Sequence, residues 1–537
     1  MLSLQKFQST TSLLLLARLA SCSNIQWSRC KEGEFNTTLS LQCGTLPVPL
    51  DYTQPNSSMT FNLEIIRIPA PVQPSRGSIQ LNFGGPGSPA RGDAVALGPL
   101  LQQLSGSAYD LIAFDPRGTG RSIPFICTDD SYHIGQIISQ VRSSNDSDNA
   151  LRRLWERAKA DNYICQRLGQ GNETAEFIGT AFVARDLISV VDALGEDGML
   201  RYWGFSYGTT LGATVAAMFP ERIDKAILDG VQNPHDYYHS HADFEEWVDT
   251  DEVFSYYFTS CVEAGPDKCA LASLNKTAVA LEQDVWNFFD VIRAAPIAVG
   301  SDVLDLIGLK SFFLGQLKVS AGWSSLSQFL LALVYGSQQG PLLEALAQAL
   351  AAGSPDGPAN IIPVQSLWGI HCGDMIPRMK LFDEAVAAAD RLGKTSRLIG
   401  DVVTWNMVHC NQWPWHARET YMGNFHVKTK NPILIASNSR DAHTPLTSAL
   451  NVSSGFEGSG FLEVDGTGHT VLNVPSACSF KAMVAYWVNG TLPSPGSVCR
   501  APHPFDSFTW ADIFNDAMST NVNESTERRA EFQRWLY

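Results

Sequence analysis

The stretch Tyr202-Trp203-Gly204-Phe205-Ser206-Tyr207-Gly208 places a Gly-x-Ser-x-Gly motif where an apolar strand meets a helical segment. A serine hydroxyl is a poor nucleophile at neutral pH, and a sharp strand-to-helix turn exposes its Oγ for attack. Gly204 and Gly208 are small enough for such a turn. The motif therefore predicts that Ser206 is a nucleophile.

Short apolar runs on both sides of Ser206 have the length of buried strands and end at Gly, Pro or Asp. Apolar residues at helical spacing in 182–194 predict a helix directly before the Ser206 strand. Alternating strands and helices predict a mostly parallel sheet with helices on both faces, which binds ligands beyond the carboxyl ends of its strands. The predicted strands are 60–68, 78–83, 111–114, 202–205, 226–228, 432–436 and 461–464.

Two later segments supply the base and the acid that a serine nucleophile needs. Asp441 lies in a polar loop after the strand 432–436, and His469 lies in a Gly-rich turn after the strand 461–464. The chain order Ser206, Asp441, His469 is the order of the α/β-hydrolase fold. We therefore predict that these three residues form a catalytic triad.

Each of the two later positions has an alternative. His443 is an alternative base, but His469 has the Gly-rich turn that a catalytic histidine needs after its strand. Asp465 is an alternative acid, but it would share one short loop with His469. Both observations favour His469 and Asp441.

An oxyanion hole needs two backbone donors. The first is predicted to be the N–H of Tyr207, directly after the nucleophile, and the second that of Gly85 or its neighbour in the glycine loop 82–88. This loop lacks the Gly-Lys-Ser/Thr ending and the Gly-x-Gly-x-x-Gly spacing of nucleotide-binding loops. The pattern thus favours an oxyanion loop over a phosphate loop.

The composition is that of a folded globular protein. Hydrophobic residues make up 45% and charged residues 17% of the 537 residues. The formal net charge of −16 argues against nucleic acid or an anionic membrane as a partner. Three apolar helical segments, 279–292, 326–335 and 342–352, are shorter than the ~18 uninterrupted apolar residues of a membrane span.

The N-terminus and the cysteines indicate an oxidising compartment. Residues 1–22 combine Lys6, a short leucine run and a small-residue end, which is typical of a secretory signal; Cys22 alternatively suits a bacterial lipoprotein signal. The chain has no Cys-x-x-Cys and no His-Glu-x-x-His, so zinc or another metal is not expected. The other ten of the eleven cysteines fall into couples close in sequence, and we predict the disulfides Cys30–Cys43, Cys127–Cys165, Cys261–Cys269, Cys372–Cys410 and Cys478–Cys499.

Asn-x-Ser/Thr sequons are abundant, which favours an N-glycosylated protein secreted by a eukaryote of fungal type over a bacterial lipoprotein. The possible glycosylation sites are Asn36, Asn56, Asn145, Asn172, Asn275, Asn451, Asn489 and Asn523.

Several motifs in succession resemble the proline iminopeptidase-related α/β-hydrolases. They are the glycine loop 84–87, the Asp-Pro-Arg-Gly-Thr-Gly-Arg-Ser run at 115–122, the nucleophile motif and the Ile-Leu-Asp-Gly at 227–230. Four further segments, 48–52, 372–374, 410–414 and 441–445, resemble the secreted tripeptidyl aminopeptidase-like branch, and the resemblance covers about residues 30–499. It implies a structural role for Arg117. Asn82 stands where iminopeptidases proper have histidine, which places the chain nearer the tripeptidyl branch.

We therefore expect an α/β-hydrolase core at 23–230 and 429–500, the second part being TAP-like, with a mainly helical cap at 231–428 between them and an extension at 501–537. The expected function is a secreted serine exopeptidase that needs no cofactor, acts on a peptide or small acyl substrate and has no stable membrane association. Recognition of a free α-ammonium needs carboxylates in the cap, and Glu245 and Glu246 are the candidates. An esterase, lactonase or amidase for a small molecule is the alternative, and a catalytically silent binding protein is a third hypothesis that the complete triad disfavours.

Overall fold

The computed structural model describes residues 25–128, 143–167, 173–299, 302–336 and 361–519. Its strands are β1 Ser28–Arg29, β2 Gln42–Pro49, β3 Thr60–Ile68, β4 Ser78–Asn82, β5 Asp110–Phe114, β6 Leu200–Phe205, β7 Ile223–Asp229, β8 Ile297–Val299, β9 Asp302–Leu304, β10 Leu434–Arg440, β11 Gly460–Thr467 and β12 Val498–Arg500. Its α-helices are α1 Ala90–Leu104, α2 Ala150–Arg167, α3 Thr180–Leu194, α4 Tyr207–Met218, α5 Pro234–His239, α6 Thr250–Ala264, α7 Ala278–Ala294, α8 Leu306–Leu317, α9 Trp323–Tyr335, α10 Ile361–Leu367, α11 Phe382–Thr395, α12 Gly400–Asn411, α13 Leu446–Gly455, α14 Ala477–Asn489 and α15 Trp510–Ser519.

Ten of the strands form one sheet in the order β1-β2-β3-β5-β4-β6-β7-β10-β11-β12. The strands from β5 to β12 in this order pair in parallel, and β1, β2 and β3 pair antiparallel at the other end. The strands β6, β7, β10 and β11 are therefore neighbours, and their carboxyl ends meet at one edge. The predicted mostly parallel sheet is confirmed.

Strand β6 lies at the centre of the sheet, and all six of its residues are buried. Tyr202 packs in the core cluster that contains α3 and α4, whereas Trp203 packs in the cluster on the opposite face with α1 and α14. A strand covered on both faces is expected to be apolar throughout, as β6 nearly is. Its burial fixes the position of the turn that follows it.

Strand β2 is absent from the sequence-based prediction. Pro47 and Pro49 interrupt its pattern, and proline lacks the N–H that a central strand must donate. Both prolines are exposed, and β1 pairs only with Gln42 and Cys43, so this end of β2 has a free edge that tolerates proline. The predicted helix 342–352 lies outside the described residues.

A mainly helical cap lies between β7 and β10 and contains α5 to α12 and the small hairpin β8–β9. It has its own aromatic core, in which Phe254 packs against Trp286 and Phe313. Within the described ranges, no helix combines the length and the apolar character needed to cross a membrane. All five predicted disulfides are present, and two of them, Cys261–Cys269 and Cys372–Cys410, lie in the cap.

Arg117 holds together the loop after β5. Its guanidinium donates two hydrogen bonds to Asp186, at 2.6 and 2.7 Å, and further bonds to the carbonyls of Pro49, Leu50 and Phe177 at 2.9 Å. Both side chains of the ion pair are fully buried. Arg117 thus ties α3 to β2 and to the loop after β5.

Replacing Arg117 by methionine should lower the free energy of unfolding by about 3–5 kcal/mol, because Asp186 would become an unpaired buried charge. Urea unfolding of the disulfide-intact protein measures this loss. The double variant Arg117→Met/Asp186→Leu is expected to recover most of it, and a single variant as stable as the wild type would contradict the prediction.

Candidate active site

Ser206 occupies the turn between β6 and α4. Its backbone has φ 56° and ψ −128°, a strained conformation for a non-glycine residue that is expected at a nucleophile turn. The Ser206 N–H donates to the carbonyl of Asp229 at 3.1 Å, which fixes the turn to the end of β7. A Cβ on Gly204 would lie 2.2 Å from the Gly208 oxygen, so the small residues on each side of Ser206 are required.

The glycine loop after β4 packs against this turn. Gly84 has φ +95°, and a Cβ there would lie 2.8 Å from Ser206 Cβ and 3.1 Å from the Tyr207 nitrogen. The Gly84 N–H donates to Asn82 Oδ1 at 3.0 Å, so this amide is already engaged. Tyr207 is the first residue of α4, where backbone N–H groups have no partner within the helix. Gly85 and Tyr207 remain the predicted oxyanion donors.

Asp441 and His469 meet at the same edge of the sheet. His469 Nδ1 lies 3.0 Å from Asp441 Oδ2 and 3.2 Å from Oδ1. A carboxylate accepts hydrogen bonds, so Nδ1 carries the proton and the lone pair of the neutral ring lies on Nε2. This is the tautomer that a histidine needs to take a proton from a serine.

The carboxylate of Asp441 is buried and heavily hydrogen-bonded. It accepts backbone N–H bonds from His443, Thr444 and Thr470, and the Thr444 hydroxyl donates to Oδ2 at 2.7 Å. Burial alone would raise the pKa of Asp441, but the charge and hydrogen bond of His469 and the bonds from Thr444 lower it below its ordinary value. Asp441 is therefore held as an anion.

The side chains of the two alternatives have other partners. Asp465 is half exposed and pairs with Arg440 at 2.6 Å. His443 Nε2 lies 2.7 Å from Glu246 Oε1, and its Nδ1 is buried and makes no hydrogen bond within the described residues. Of the four residues considered, only Asp441 and His469 are joined as an acid–base pair.

Contacts from two sides hold the loop that contains His469. The buried carboxylate of Asp229, at the end of β7, accepts from the N–H of Val471 at 2.6 Å and of Leu472 at 3.3 Å. The cap contributes the carbonyl of Lys318, which accepts from the His469 N–H at 2.8 Å, and Val319 forms a β-bridge with Gly468. The backbone of the loop is thus held from the sheet and from the cap.

The two acidic cap residues have different surroundings. Glu245 accepts hydrogen bonds from Ser448 at 2.8 Å, from Asn451 at 3.0 Å and from Asn233 at 3.1 Å, which tie it to α13. Glu246 contacts His443 and Gln232 through Oε1, and no hydrogen bond to its Oε2 is found within the described part of the chain. Of the two glutamates, Glu246 is therefore the one that lies beside the Asp441–His469 pair.

Other carboxylates act on Glu246 electrostatically. Burial is the main cause of the raised pKa of Glu246, and the charges of Asp243 and Asp236 add to it. Burial, followed by the charge of Asp243, raises the pKa of Asp236 to about 7. Asp243 also lies 3.4 Å from His371 Nε2, and its charge raises the pKa of His371 although burial opposes this. The cap thus holds an acidic cluster of Asp236, Asp243 and Glu246.

Comparisons with known proteins agree with the fold described above. Residues 83–264 match the family described as the alpha/beta hydrolase fold, and residues 396–499 match the family of TAP-like proteins. The chain is an α/β hydrolase. This confirms the predicted fold and the resemblance to the tripeptidyl aminopeptidase-like branch.

The hydrolase is similar to several curated proteins over most of its length. Serine protease Hip1 of Mycobacterium tuberculosis is 27% identical over 494 residues, which cover 88% of this chain and 91% of the relative. The tripeptidyl aminopeptidase of Streptomyces lividans is 26% identical over 503 residues, with coverage of 91% and 89%. Carboxylesterase B of M. tuberculosis is 27% identical over 494 residues, with coverage of 89% and 90%.

Three residues of the site were not predicted from the sequence. The Thr444 hydroxyl lies 3.0 Å from His469 Nδ1 and also donates a hydrogen bond to Asp441. Thr444 comes three residues after an Asp, and this spacing is a turn signal that could have identified it. Asp229 directly follows the predicted strand 226–228 in the Ile-Leu-Asp-Gly motif, and this position could have identified it. The cap residue Lys318 has no such signal, because its contact with His469 depends on how the cap packs.

Proposed function

We propose that this hydrolase is a secreted serine exopeptidase that releases short peptides from free N-termini. The contact between Asp441 and His469 Nδ1, at the sheet edge that carries Ser206, supports the proposal most directly. Relatives named serine protease and tripeptidyl aminopeptidase, each similar over most of this chain, support a peptidase.

In the proposed mechanism, His469 Nε2 takes the proton of the Ser206 hydroxyl while Oγ attacks the carbonyl carbon of the substrate. Asp441 keeps the proton of His469 on Nδ1 and stabilises the imidazolium that forms. The backbone N–H groups of Tyr207 and Gly85 donate to the oxyanion of the tetrahedral intermediate.

The intermediate then collapses to an acyl-enzyme. The C–N bond breaks, His469 gives its proton to the leaving amine, and an ester joins the acyl group to Ser206 Oγ. Water attacks this ester with His469 again as the base. The second tetrahedral intermediate releases the peptide acid and returns the proton to Ser206.

A free N-terminus distinguishes an exopeptidase substrate from an ester or an internal peptide bond. The charges of Asp243 and Asp236 add to the raised pKa of Glu246, so a cation placed beside Glu246 would favour its charged form. Glu246 Oε2 is the oxygen available for such a cation. We propose that the substrate α-ammonium binds at Glu246.

A panel of chromogenic amides tests the proposed activity. It contains aminoacyl, dipeptidyl and tripeptidyl anilides, each with a free and with an acetylated N-terminus, together with plain esters. We expect the tripeptidyl anilide with a free N-terminus to be the preferred amide. Equal rates for free and acetylated anilides would rule out the exopeptidase mode.

Replacing Glu246 by glutamine should lower the preference for free over acetylated tripeptidyl anilides by about 10-fold or more. A hydrogen bond to a charged group contributes about 1.5–3 kcal/mol and a neutral one about 0.5–1.5 kcal/mol, and a difference of about 1.4 kcal/mol is 10-fold. The ratio of kcat/KM for the two anilides measures the effect. Glu245→Gln is the matched control and should leave the ratio unchanged, since Glu245 is bound to α13. An unchanged ratio in Glu246→Gln would disprove the assignment.

An esterase is the second candidate function. The similarity to carboxylesterase B favours it, because the same triad hydrolyses esters and amides. The substrate panel separates the two candidates: an esterase would cleave the plain esters and none of the peptidyl anilides.

Secretion is supported by the five disulfides and by the sequons. The six sequon asparagines within the described residues are all exposed: Asn36, Asn56, Asn145, Asn275, Asn451 and Asn489. The predicted signal peptide at 1–22, Asn172 and Asn523 lie outside the described residues.

A further inference from the structure

A second histidine ring lies flat against His469. The His443 and His469 rings are 5.0 Å apart between centroids, with an interplanar angle of 19°. The His443 ring also lies 4.9 Å from the ring of Trp247 between centroids, with an interplanar angle of 37°. The base of the proposed triad is therefore the end of a three-ring array that begins in the cap.

The position of His443 is fixed on two sides. Its ring Nε2 lies 2.7 Å from Glu246 Oε1, and its backbone N–H donates to Asp441 Oδ1 at 2.9 Å. The side chain is 18% exposed. The backbone N–H, the Nε2 atom and a ring face of His443 all make contacts. The His443 ring therefore has little freedom to rotate.

The charge state of the pair suits a neighbour of a catalytic base. Burial, followed by the charges of Lys318 and His469, lowers the pKa of His443. Burial and the charge of Asp243 raise the pKa of Glu246, while Lys318 opposes this rise. Both shifts oppose charge on this pair when no cation is bound, and the lowered pKa favours the neutral ring of His443. A charged ring at this distance would oppose the imidazolium that forms on His469.

We propose that His443 is a positioning residue, which covers one face of His469 and keeps the imidazole in the plane that directs Nε2 toward Ser206. This inference rests on the proposed triad. A small misplacement of a catalytic group lowers the rate about 100-fold, so a ring that restricts His469 to one plane affects turnover rather than substrate binding.

Two substitutions test the role of the ring. His443→Ala removes it, and we expect kcat for the tripeptidyl anilide and the rate of labelling by a serine-directed phosphonate to fall about 10- to 100-fold, with KM within about 2-fold. His443→Phe keeps a flat ring and should recover at least half of this loss on a logarithmic scale. If His443→Ala has the same kcat and the same labelling rate as the wild type, the inference is overturned.

A matched control and a third variant complete the test. His239 is an exposed histidine whose ring centroid lies 6.1 Å from that of His235. His239→Ala should keep the wild-type kcat and labelling rate. If His443→Ala does not fold, as judged by circular dichroism, His443→Gln replaces it; equal activity of the Gln and Phe variants would then overturn the inference. Failure of the proposed triad is distinguishable, because wild-type protein would then not be labelled at all. Failure of the exopeptidase function alone would leave labelling intact and abolish only the anilide activity.

Discussion

Replacing Ser206 by alanine is expected to lower kcat/KM for peptidyl anilides by about 10⁴- to 10⁶-fold. Alanine has no oxygen to form the acyl-enzyme, and the strained turn that holds Ser206 has no other nucleophile at its apex. The residual rate would come from substrate binding and from the Tyr207 and Gly85 amides alone. Initial rates measured with an excess of purified protein determine the loss.

Labelling by a serine-directed phosphonate gives an independent readout of the same variant. The wild type should take up one equivalent, and Ser206→Ala none. Ser459→Ala serves as the control, because its hydroxyl bonds to the hydroxyl and the carbonyl of Ser453 and lies outside the site. Labelling of Ser206→Ala, or its absence in the folded wild type, would refute the assignment of the nucleophile.

Replacing Asp441 by asparagine is expected to lower kcat by about 10⁴-fold. An asparagine amide can present N–H groups to His469 Nδ1, which would then act as an acceptor and leave the proton on Nε2. That tautomer has no lone pair on the nitrogen that should receive the Ser206 proton. The pH profile of kcat and the rate of phosphonate labelling both report this change.

Asp465→Asn is the matched control for Asp441→Asn. Asp465 is the other acid near His469 in the sequence, but its carboxylate is half exposed and pairs with Arg440. We expect activity within about 2-fold of the wild type, since exposed ion pairs contribute little. A large loss of activity in Asp465→Asn, with little change in Asp441→Asn, would show that Asp465 is the acid of the triad and Asp441 is not.

Sequence reasoning was most successful where a local pattern determines the structure. Strand β3 has the predicted bounds, 60–68, and the strands that carry Ser206, Asp441 and His469 were each recognised from an apolar run that ends in a polar loop. Parallel strands bring their carboxyl ends together, so three residues far apart in sequence could be assigned to one edge. The same logic missed β2, because its prolines are acceptable only at a free edge.

Contacts between cap and core could not be predicted in this way. Glu246 belongs to the cap and His443 to the second part of the core, and no periodicity relates the two segments. The same holds for the cap carbonyl that accepts from His469. These contacts depend on how the inserted helices pack, which is why Glu245 and Glu246 could be distinguished only from the structure.

The hydrogen bond from His469 to Lys318 and the bridge between Val319 and Gly468 join the cap to the loop that contains His469. The cap cannot move away from the sheet as a rigid body while these contacts are kept, unless that loop moves with it. Any displacement of the cap is therefore coupled to the position of His469 relative to Asp441.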